Sequence, residues 1–172
     1  LAQYPQLADG TALPPDQAMF VAAYSVHLLY DLIWFREILL PYFVNAPQWT
    51  EAFEERRMVH QILLTYLDKL AYEALPETAV TTLAAAQPKQ WLPFVSDEAL
   101  CQWQNGLVAQ LEPAGELETI NVYAARLGIT PAEFAANLDS PAWMEAHVFG
   151  NVPVAKIQQR LETAVSEAID LI

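Results

Sequence analysis

Between Ala18 and Val44 the chain reads AMFVAAYSVHLLYDLIWFREILLPYFV, a stretch that is apolar on nearly every side when wound as a helix. Such a helix must be enclosed by other helices or by a partner. The rest of the chain is therefore read for what could enclose it. The stretch resembles a membrane span at first sight, but His27, Asp31, Arg36 and Glu37 interrupt it. Its longest uncharged run falls short of the roughly 20 apolar residues a bilayer requires. The expectation is a water-soluble helix that ends near Leu40, because Pro41 lacks a backbone donor and crowds the preceding turn.

The 172 residues suit one domain that can bury a core without disulfides or metal. Hydrophobic residues make up 54% and charged residues 17%, which excludes intrinsic disorder and leaves apolar material that could face a partner. With 21 acidic and 8 basic residues the formal charge is −13, and the cations are scattered from Arg36 to Arg160. A phosphate backbone and an anionic membrane surface are thus poor partners. A single cysteine, Cys101 beside Leu100, excludes a disulfide framework and reads as a small apolar residue. The sequence starts at Leu1 without the basic start and apolar run of a signal peptide, so the reading is a trimmed or processed chain in the cytoplasm.

Residues 1–17 hold Pro5, Gly10, Pro14 and Pro15 with no helical period, which predicts an extended arm pinned by Tyr4, Leu7 and Leu13, with Asp16 capping the following helix. Residues 18–172 then form a single helical domain, with a weak internal boundary near 87–95. From Trp49 to Glu73, Phe53, Val59, Ile62, Leu63, Tyr66, Leu67 and Leu70 recur three and four apart. A short connection would make this helix the antiparallel partner of the first, with the fold-back at residues 44–45.

A weaker run follows Pro76 and Glu77 and stops before Pro88, after which Trp91 and Phe94 anchor irregular chain around Pro93. Ser96 with Asp97 and Glu98 marks a helix to about Leu111 that Asn105 and Gly106 should kink. Pro113, Ala114 and Gly115 form a turn, Glu116 to Leu127 a helix, and Gly128 its end. Thr130, Pro131 and Glu133 spell a capping box with proline at the first helical position. Ser140 and Pro141 repeat the cap and proline for a short run. The last helix carries Val154, Ile157, Leu161, Ala164, Ala168 and Leu171 in alternating steps of three and four. No stretch alternates long enough for a strand. The reading is all-α: an irregular bundle of seven or eight helices around a long antiparallel hairpin.

One constellation bears on chemistry. His27 and Asp31 are four apart and share a helix face, and a hairpin folded at 44–45 would bring His60 level with them. A carboxylate with two imidazoles is the donor set of a metal site or an acid–base pair. The helical di-iron pattern needs Glu-x-x-His, which this sequence lacks. The expectation is instead that these polar groups satisfy one another inside an apolar hairpin. Arg36 is expected level with Glu54 and Glu55, and Glu37 near Arg56 or Arg57; His147 reads as exposed or capping. No phosphate loop, nucleophile elbow or zinc spacing is present, so no cofactor and no catalytic residue is assigned. Five tryptophans and excess apolar content point to a module that binds another protein, as an adaptor, an assembly or secretion chaperone, or an inhibitor. An enzyme or ligand-binding protein with a pocket beside the first helix, and a homo-oligomer subunit, are the other classes weighed.

Overall fold

The computed structural model describes residues 3–46, 49, 52–112 and 118–169. Among them every regular element is helical, in an all-α arrangement. Two single 3₁₀ turns, Pro5–Leu7 and Gly10–Ala12, precede α1 at Pro15–Ile33, which continues as π-helical turns over Trp34–Val44. Then come α2 at Phe53–Glu73, α3 at Ala79–Ala85, α4 at Asp97–Leu111, α5 at Glu118–Leu127 and α6 at Pro131–Leu138. A short α7 at Pro141–Trp143 passes into π turns over Met144–Phe149, and α8 spans Val154–Ile169. The chain falls into two compact units, residues 1–31, 76–115 and 165–172, and residues 32–75 and 116–164. The segment 87–95 lies within the first unit.

The first helix does not stop at Leu40. It passes through Pro41 to Val44, where the Asn45 N–H donates to the Leu40 carbonyl at 2.7 Å, a reach of five residues. The wider π turn makes room for a pyrrolidine ring that an α turn would press against the carbonyl four residues back, and Pro41 forfeits only its own bond. Together the α and π turns make one 30-residue helix, long and apolar enough by length and composition to cross a membrane.

In the first unit the residues before α1 are turned twice rather than extended. The Asp9 carboxylate accepts from the Thr11 N–H at 3.0 Å and caps the second turn. Leu7, Val21 and Leu92 form a buried cluster, with Tyr4, Leu13, Phe20 and Val95 packed on it; burying a leucine of this kind contributes roughly 2 kcal/mol. α1 begins with Pro15 at its first turn, so Asp16 lies inside the helix, at the positive end of its dipole. The Gln17 side-chain amide donates to the Trp91 carbonyl at 3.1 Å, and Phe20 packs on Trp91 at 4.9 Å. The Asp97 carboxylate accepts from the Gln90 N–H at 2.8 and 3.0 Å where Gln90 turns through a positive φ of 56°. Ser96 caps α4, which runs on through Gly106, and Gln104 donates to the carbonyls of Leu83 in α3 and of Ala86 just beyond it.

In the second unit α2 turns Val59, Ile62, Leu63 and Thr65 inward. Ala124, Phe134, Leu138, Met144 and Val148 are also buried there. α8 buries Val154, Ile157, Leu161 and Ala164 in this unit and Ala168 in the first, in the spacing its sequence sets out. α5 ends in a Schellman turn: Gly128 takes φ +71°, its N–H donates to Ala125, and the Ile129 N–H reaches Ala124. Both halves of the Thr130–Glu133 capping box form, with Pro131 opening α6.

Candidate functional site

His27 and Asp31 stand together on α1, with Nε2 to Oδ2 at 3.5 Å, and both project into solvent, their side chains 66% and 62% exposed. His60 has other neighbours. The Trp34 indole N–H donates to its Nε2 at 3.1 Å, and the Phe43 ring meets it edge-on at 4.8 Å. This imidazole accepts at Nε2, so its proton resides on Nδ1. Withdrawal from water pushes its pKa down to about 4, and it is neutral across the physiological range.

The placement of His60 follows from where the hairpin turns. The chain is still helical at Val44 and α2 begins at Phe53, not Trp49, so it does not fold back at 44–45. Residue 60 is thereby opposite the π-helical turns. Trp49 does not join the helix because it serves the connection: its indole N–H donates to the Tyr42 carbonyl at 2.7 Å and its ring packs on Phe43. Among the described residues no group of three or more His, Cys, Asp and Glu side chains is gathered for a metal ion.

The charges also pair differently from the sequence reading. Glu37 meets Arg160 of α8 in a bidentate bridge, Nε to Oε2 at 2.6 Å and the NH2 nitrogen to Oε1 at 2.9 Å, and the guanidinium holds the Glu37 carboxyl below its ordinary range. Arg57 pairs with Glu54 on its own helix and donates to the Arg126 carbonyl, while Arg56 donates to the Phe43 carbonyl at 3.3 Å. No spacing rule could have joined Glu37 to a residue 123 positions away. His147 stacks on Trp143 with ring centroids 4.6 Å apart. Cys101 is a free, partly buried thiol.

α1 and its π-helical continuation also carry exposed apolar side chains. In one 18-residue stretch of this helix 11% of the residues are fully buried, and along its length others, Phe20, Leu29, Trp34 and Tyr42 among them, are half-buried. The helix does bury Val21, Ile33, Ile38 and Phe43, yet Met19 and Leu28 in the first unit and Leu32, Phe35 and Val44 in the second are exposed, Phe35 by 49%. A helix read as enclosed is therefore only partly covered. Compared with known protein families, characterised proteins and solved structures, the chain matches none.

Proposed function

We propose that this chain is an acidic, helical protein-binding module whose docking face is the exposed apolar surface at the end of α1 and on its π-helical continuation, centred on Leu32, Phe35 and Val44. The observation that carries the reading is the low burial of the most apolar helix in the chain. Side chains of this size standing in water cost free energy that a partner's apolar surface would recover, at about 25 cal/mol per Å² removed from water. Other side chains of the same segment are committed to the chain's own fold through Ile38, the Trp34–His60 bond and the Glu37–Arg160 bridge. That division favours a partner laid against one side of the helix. The reading takes the protein to act in the cytosol.

A membrane-inserted α1 is the second reading, favoured by its length and composition. It is disfavoured by that same internal packing, since lipid cannot fully surround a segment whose Glu37 bridges to Arg160 of α8. It also requires Asp31 or Arg36 near the bilayer core, at a cost of roughly 3 kcal/mol each on insertion scales.

The test is mass measurement by light scattering, with co-purification from the source cell, on the protein and on Phe35→Asp. Recovery of a stoichiometric protein partner, lost in Phe35→Asp while the helical circular dichroism is unchanged, supports the proposal. A concentration-dependent homo-oligomer abolished by the same substitution would replace it with self-assembly. Flotation with neutral phosphatidylcholine vesicles would replace it with membrane insertion.

A further inference from the structure

We infer that the first unit holds a half-open binding pocket for a neutral, ring-bearing apolar small molecule, set between the residues preceding α1, the start of α1 and the crossover before α4. The cavity measures about 510 Å³, within the range of small-molecule sites. Its floor is the buried cluster of Leu7, Val21 and Leu92. Tyr4, Tyr24 and Phe94 line it as well, with Tyr4 and Phe94 centroids 4.7 Å apart and Tyr24 and Phe94 6.3 Å apart. Rings so arranged present flat faces and edges suited to stacking on another ring.

The charge of the lining selects the ligand. In a chain with 21 acidic side chains, none of the described residues that line this cavity is Asp, Glu, Lys, Arg or His. An ionic ligand would lose its hydration with no counter-charge to replace it. Among the described lining residues the polar side chains are Gln3, Tyr4, Tyr24 and Ser25. The Ser25 hydroxyl donates to the Val21 carbonyl at 2.9 Å, so toward the cavity it offers acceptor lone pairs. A single hydroxyl or N–H on an otherwise apolar ring system fits that set. The site is beside the first helix but does not involve His27, Asp31 or His60, and it stands independently of the docking face at Phe35.

The probe is N-phenyl-1-naphthylamine, a neutral aromatic amine whose fluorescence rises on leaving water, titrated into the full chain. Saturable one-to-one binding is expected, weakened at least tenfold by Leu28→Trp, which fills the mouth from a half-exposed position. Ser25→Leu, which fills the interior, is the second variant and decides the matter should the first not fold. The sulfonated analogue 1-anilinonaphthalene-8-sulfonate is expected to bind at least tenfold more weakly. Absence of saturable binding overturns the inference, as does equal binding of the sulfonate, or affinity unchanged in the folded variants. Loss of binding in Phe35→Asp would overturn it too, because that residue belongs to the other unit.

Discussion

The indole of Trp34 donates its N–H to Nε2 of His60 at 3.1 Å, and this bond joins the π-helical part of α1 to the middle of α2. The imidazole can accept only while neutral. Its pKa is lowered by burial from 6.5 to about 4. The unfolded chain therefore takes up a proton below about pH 6.5 that the folded chain refuses until about pH 4.

Stability from this group is complete above pH 6.5 and is lost as pH falls toward 4, in full roughly 3 kcal/mol. Urea unfolding at half-unit pH steps checks it. His60→Gln, which keeps an acceptor for Trp34 but does not titrate there, is expected to flatten the slope between pH 6.5 and 4. An unchanged slope in that variant would assign the pH dependence to other groups.

The Glu37–Arg160 bridge fastens the π-helical segment to α8. Both side chains are partly exposed, so its net value is modest: a double-mutant cycle with Glu37→Gln and Arg160→Gln is expected to give a coupling of about 0.5–1 kcal/mol, smaller at 1 M salt. Because Arg160 lowers the Glu37 pKa, this contribution is present above the ordinary carboxyl value of 4.5 and is lost as pH falls through the lowered one. A coupling indistinguishable from zero at low salt contradicts the account.

Two glycines should respond oppositely to one substitution. Gly128 holds φ +71° with open space around its Cβ position, so Gly128→Ala costs about 1 kcal/mol through backbone strain alone. Gly106 lies inside α4, again with open space, and Gly106→Ala is expected to stabilise by about 0.5–1 kcal/mol. Denaturant midpoints of the two variants measure both signs.

These glycines also mark what the sequence makes legible. Gly128, the Thr130–Glu133 box, the Ser96 cap and the α8 stripe are local: each depends on residues within one or two turns, and each forms as read. The all-α class follows from such signals. The turn over residues 113–115, the helix start at 116 and Leu171 lie outside the described residues.

What was not legible depends on backbone geometry that no side-chain period records. A π register carried α1 past Pro41, and Trp49, apolar and well spaced for a helix, was spent on the Tyr42 carbonyl instead. Those two facts rule out a fold-back at 44–45. His60 consequently met Trp34 and Phe43, and His27 and Asp31 were left as an exposed pair. The exposure of α1 was hidden for a related reason. Apolarity states what a helix needs covered, not which chain covers it.

That uncovered face is the centre of the account, and photo-crosslinking from position 35 tests it most directly. With p-benzoylphenylalanine replacing Phe35 and, as a control, Gln102 on α4, irradiation in the source cell is expected to give one discrete adduct to a different polypeptide from position 35 and none from position 102. Adducts only to lipid or to a second copy of this chain, or identical patterns from both positions, would contradict it.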